Sequence, residues 1–175
     1  MKANAGLSVL LSQRSKSMKT LIQLISIALI TLVSFSIYAA PSVSVVFVLD
    51  ESGSVSSSNF DLETQGFQGA LSSLPLDGSV EVSVIGFASS TTTIIDKVEL
   101  TVATLSGIET ALADNPKNSG STFMSGAIST STGVLLGSSA PTKVICLATD
   151  GEPDSQSSTT LAAIEAKNSG IFLTP

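Results

Sequence analysis

The chain has 175 residues, 14 of them acidic and 8 basic, with one Cys, no His and a formal charge of −6, a length that suits one domain with a real core. Without imidazole there is no Ser-His-Asp or Cys-His nucleophile pair and no His-ligated zinc or haem, and the lone Cys146 forms no internal disulfide or thiolate cluster, so a metal here must be held by oxygen. From Pro41 onward 4 Lys and no Arg face 14 acids, a net of −10, and a surface that acidic repels phosphates and excludes nucleic acid as a partner.

The first segment reads as an export address. Leu21 to Ala40 carries no charge, Lys16 and Lys19 precede it, and small residues lead into Pro41. That is the order of a secretory signal, expected to span residues 1–39 with cleavage after Ala39. Met18 is an alternative start. The competing reading is an uncleaved membrane anchor, since about 20 apolar residues suffice to cross a bilayer; Gln23 and several Ser and Thr dilute the run. Either way the chain is expected outside the cytoplasm: secreted, extracellular or periplasmic, and at a membrane only if the segment stays attached.

The remainder, residues 40–175, alternates strands and helices. Val43 to Leu49 is a near-continuous β-branched and apolar run, which fits a strand buried on both faces. Ser52 to Asn59 is polar and turn-like. Phe60, Phe67, Ala70, Leu71 and Leu74 then recur at helical spacing until Pro75. Val80 to Ala88 and Thr92 to Thr101 read as a hairpin at the sheet edge. Val102 to Ala113 reads as a short helix ended by Asn115-Pro116, and Phe123 to Leu136 as a helix of small residues. Val144 to Ala148 is a second buried strand, Ser158 to Lys167 a helix closed by Gly170, and Ile171 to Thr174 the start of another strand. The expected fold is α/β: a Rossmann-like, doubly wound, mostly parallel sheet with one antiparallel edge strand. Because the last strand begins just before Pro175, the domain is expected to be incomplete at its C-terminus.

Two of the buried strands run into an acid. Val43–Leu49 leads to Asp50-Glu51-Ser52-Gly53-Ser54, and Val144–Ala148 leads through Thr149 to Asp150-Gly151. Ligands of open α/β sheets bind beyond the carboxyl ends of the strands, so neighbouring strands would aim both carboxylates into one crevice. Ser52 and Ser54 flank Gly53 in a tight turn, and Thr122 after Gly120-Ser121 can add another hydroxyl. Hydroxyls and carboxylates together make a hard oxygen cage of the kind that suits Mg²⁺ or Mn²⁺.

Asp50-Glu51-Ser52-Gly53-Ser54 resembles the Asp-x-Ser-x-Ser motif of von Willebrand factor type A domains. Thr122 resembles that family's metal-site Thr, and Thr149-Asp150-Gly151 its closing Thr-Asp-Gly. The likeness runs from about Ser42 to Pro175. It implies a metal-ion-dependent adhesion site in which Ser52, Ser54 and Thr122 ligate the ion, while Asp50 and Asp150 mainly hold coordinated waters. It further implies a binding module, not an enzyme, that takes a carboxylate of a protein or other ligand. Alternatives are a metal-assisted hydrolase and a structural or assembly component of an exported bacterial protein. A simpler reading of Asp50 and Ser52 is that they only cap the following helix. Glu51 and Glu152 are expected to be solvated rim charges, and Cys146 a buried core residue.

Overall fold

The computed structural model describes residues 40–174. Residues 1–39, expected to be a signal or an anchor, lie outside the described residues. Five strands alternate with four helices: β1 (Val43–Asp50), α1 (Ser57–Ser73), β2 (Asp77–Phe87), β3 (Thr91–Thr101), α2 (Leu105–Ala113), α3 (Met124–Leu136), β4 (Thr142–Leu147), α4 (Gln156–Asn168) and β5 (Phe172–Thr174). They form one sheet in the order β3-β2-β1-β4-β5. β1 pairs in parallel with β2 and β4, β4 in parallel with β5, and β3 runs antiparallel to β2 at the edge. The doubly wound, mostly parallel sheet with its antiparallel edge hairpin is as expected.

The alternation of side chains along β1 divides the core into two layers. Val45, Phe47 and Leu49 pack with Phe60, Phe67 and Leu71 of α1 and with Ile108 and Leu112 of α2. The Phe47 and Phe67 rings meet with centroids 4.8 Å apart. Val46 and Val48 face the opposite way, onto Met124, Ala127, Ile128 and Leu135 of α3 and Ala162 and Ala166 of α4. Each of the Val, Leu, Ile, Phe and Met side chains contributes roughly 1.5–3 kcal/mol by leaving water. The small residues of α3 suit close packing, and its buried Ser131 and Thr132 hydroxyls donate to the Ala127 and Ile128 carbonyls, both at 2.8 Å. Their polar atoms are therefore satisfied within the helix.

The starts of α1 and α2 and the burial of Cys146 differ from expectation for local reasons. α1 begins at Ser57 because the Ser56 hydroxyl accepts the Asn59 N–H at 3.2 Å, a side-chain N-cap. That cap belongs to Ser56, so the reading of Asp50 and Ser52 as mere helix caps is set aside. α2 begins at Leu105, after a turn in which the Thr104 hydroxyl accepts the Thr101 N–H at 2.9 Å and donates to the Glu99 carbonyl at 2.6 Å. Val102 is left outside that helix and exposed. Cys146 is only half-buried: with Val45, Phe47, Leu74, Pro75 and Val144 it lines an apolar groove of about 400 Å³ on the α1 side of the sheet.

Candidate metal centre

Asp50 is the last residue of β1, and β4 lies directly beside it. β1 therefore delivers Asp50-Glu51-Ser52-Gly53-Ser54, and β4 delivers Thr149-Asp150-Gly151, to the same end of the sheet. Ser52 Oγ and Ser54 Oγ stand 3.0 Å apart, and Ser54 Oγ donates to Asp150 Oδ1 at 3.1 Å. Asp50 is fully buried and held from two sides. Its Oδ1 accepts the Ser52 N–H at 2.9 Å, and its Oδ2 accepts the Thr149 hydroxyl at 2.6 Å.

Thr122 arrives on the loop before α3. A Cβ built on Gly151 would stand 3.3 Å from Ser54 Oγ and 3.9 Å from Thr122 Oγ1, so both hydroxyls border one point beside Gly151. The loop is brought in by Gly120, whose carbonyl accepts the Gly53 N–H at 3.0 Å. Gly120 has φ +143, a conformation that favours glycine, and a side chain there would strike Ser89. The structure thus gathers all the residues expected to form the site: Asp50, Ser52, Ser54, Thr122 and Asp150. Among the described residues no group of three or more Asp, Glu, Cys or His side chains forms a cage. The donor set is hydroxyl-rich, with carboxylates in the minority, and it fits a hard divalent cation that keeps part of its water shell.

Residues that the motif reading passed over complete the surroundings. Glu51, expected as a solvated rim charge, is instead 1% exposed. It accepts hydrogen bonds from the Asn115 side-chain amide at 2.8 Å and from that of Asn118. The available signal was Gly86 within the apolar run of β2: a glycine inside a strand often marks a close approach, and a Cβ there would collide with the Glu51 carboxylate. Glu152 is exposed, as expected. Glu63 of α1 accepts the Asp50 N–H at 3.1 Å. Burial pushes its carboxyl up to about 7; the Asp50 N–H opposes that shift, and the charges of Asp50, Asp150 and Glu51 add to it. Nothing in the spacing of Glu63 announces this.

The chain matches the von Willebrand factor type A domain over residues 44–174. It belongs to that family. No match is found among curated proteins. Among solved structures, the vWA chain is similar to proximal thread matrix protein 1 of the mussel byssus, at 17% identity and TM-score 0.67 over 77% of this chain and 36% of that one. A form of the same mussel protein with a zinc-occupied MIDAS motif matches at 16% identity and TM-score 0.67, over 77% of this chain and 37% of that one. Manganese-loaded TRAP of Plasmodium vivax matches at 22% identity and TM-score 0.64, over 76% of this chain and 56% of that one. The pilus adhesin SpaC of Lactobacillus rhamnosus GG matches at 23% identity and TM-score 0.55, over 66% of this chain and 16% of that one. The vWA chain therefore spans less than two thirds of each of these structures, and at such identities the likeness is one of fold. Among the described residues no helix is long and apolar enough to cross a membrane.

Proposed function

We propose that this vWA domain is a binding module that holds Mg²⁺ or Mn²⁺ and uses it to take an acidic group of a protein or other ligand. Ser52, Ser54 and Thr122 would supply hydroxyl ligands, and Asp50 and Asp150 would orient coordinated waters. The observation that carries this reading is the meeting of Ser52, Ser54 and Asp150 through contacts of 3.0 and 3.1 Å, with Asp50 buried behind them. When bound, the cation supplies a positive, incompletely coordinated centre. The charge of the domain makes that centre decisive, because a domain with 14 acids and 4 Lys would otherwise repel an anionic partner.

The relatives support the reading in kind. The mussel matrix protein is described with zinc in its MIDAS motif, the Plasmodium protein with manganese, and SpaC as an adhesin. We read the module accordingly as a binding protein and not an enzyme. We further place the module outside the cytoplasm, on the basic-then-apolar order of residues 14–40. N-terminal sequencing of the mature protein tests this: Ala40 is the expected first residue, and a retained Leu21–Ala40 segment would favour the anchor.

Titration calorimetry with Mg²⁺ and Mn²⁺ on the folded domain tests the site. Saturable heat is expected in the natural chain and none in Asp50→Ala. No heat, or heat unchanged by the substitution, overturns the proposal.

A further inference from the structure

We infer that Glu51 is a positioning residue for the metal centre: its buried carboxylate ties the 115–118 loop to the Asp50–Ser54 turn and thereby sets the place of Thr122. The inference rests on the metal-binding reading above. Both oxygens of Glu51 are engaged by amides, Oε1 by Asn115 Nδ2 at 2.8 Å and Oε2 by Asn118 Nδ2, so the side chain faces the loop and is not counted among the ligands.

The same loop grips the turn from its other side. Lys117 Nζ donates to the Ser52 carbonyl at 2.8 Å and the Glu51 carbonyl at 3.4 Å, and to its neighbour Asn118 O at 3.0 Å. The Gly53 N–H to Gly120 O bond then closes the contact at 3.0 Å. Residues 115–120 are thus fastened along Glu51–Gly53 up to the position just before Ser121 and Thr122. Gly86 makes the arrangement possible, since only the missing Cβ leaves room for the carboxylate beneath the turn. The carboxylate is the buried partner in this linkage: Asn115 is half-buried and Asn118 exposed, but Glu51 deprived of their amides would stand unpaired away from water, which makes the linkage costly to break. Thr122 is the ligand that comes from neither β1 nor β4, so its place depends most on these fastenings. Partners that orient metal ligands commonly matter 10–100-fold to affinity.

Calorimetric Mn²⁺ affinities, measured where each variant is folded, test this. Glu51→Ala is expected to weaken binding about 10–100-fold. Glu51→Gln should stay close to the natural chain, because the Asn118 amide can turn over and keep both hydrogen bonds. Asn118→Ala should weaken binding as well, and adding it to Glu51→Ala should cost little more, since both break one linkage. Unchanged affinity in Glu51→Ala, full additivity of the pair, or a Gln variant as weak as the Ala variant overturns the inference; the last outcome assigns the effect to charge. If Glu51→Ala does not fold, Asn118→Ala decides, and natural affinity there overturns it. A natural chain that takes up no Mn²⁺ is a separate result that overturns the proposed function, and this inference with it.

Discussion

The Thr149 hydroxyl donates to Asp50 Oδ2 at 2.6 Å, joining two residues 99 positions apart at the ends of neighbouring parallel strands. The bond leaves Asp50 no freedom to turn, because its other oxygen is already engaged by the Ser52 N–H. Thr149→Val removes the donor while keeping the shape. It is expected to lower stability by about 1–3 kcal/mol, the range for leaving a buried acceptor without its partner. It should also weaken Mn²⁺ binding about tenfold or more by freeing the carboxylate. Urea denaturation and calorimetry report the two effects separately.

Asp150 is exposed, and its contact with the other motifs is the bond from Ser54 at 3.1 Å. Asp150→Ala should therefore leave the metal-free fold within about 1 kcal/mol of the natural chain, because water replaces the lost partner at an exposed contact. Its response to metal should differ sharply. At a hundredfold excess over Kd, Mn²⁺ should stabilise the natural domain by about 2.7 kcal/mol and the variant not at all. Melting curves with Mn²⁺ and with chelator measure this, and an equal rise in both proteins contradicts it.

Glu63 makes the metal-free domain sensitive to pH. Its folded-state carboxyl sits at about 7, above the ordinary 4.5, chiefly because burial disfavours the charge. A carboxyl raised in this way contributes stability that is complete below pH 4.5 and lost as pH rises through about 7. In chelator the natural chain should thus lose more stability between pH 5 and pH 8 than Glu63→Gln does. Urea midpoints at the two pH values measure the difference, and parallel pH profiles contradict it.

Glycines 86 and 133 should respond in opposite directions. An Ala side chain at 86 would run into the Glu51 carboxylate, whereas one at 133, on an exposed face of α3, meets nothing within 4 Å. Gly86→Ala is expected to destabilise by about 1–3 kcal/mol through overpacking. Gly133→Ala should stabilise by up to about 1 kcal/mol through helix propensity. Thermal denaturation of the two variants tests both signs at once.

The strand pattern was legible because burial on both faces writes continuous apolar runs, as in Val43–Leu49, and those runs end at Asp50 and just before Asp150. The residues proposed for the site could be picked out because each motif sits at a strand end or in a loop, and the structure brings those stretches to one end of the sheet. Glu51 was misread because its burial depends on Gly86 and on Asn115 and Asn118, partners far along the chain. Glu63 was invisible for the same reason, since its Asp50 contact arises only when α1 packs back across the sheet. The start of α1 at Ser57 turned on one hydroxyl cap among several adjacent serines, which periodicity alone does not resolve.

The placement of β1 between β2 and β4 has a consequence for how the protein is made. During synthesis the turn at Ser52–Ser54 leaves the ribosome well before Asp150, yet the two are bridged 96 positions apart. Closing so long a loop is entropically costly and slow compared with forming a hairpin. The proposed site therefore stays open on a growing chain: its Ser54–Asp150 bridge forms only once the fourth strand has docked, so on this reading a domain that holds a cation has already folded its centre.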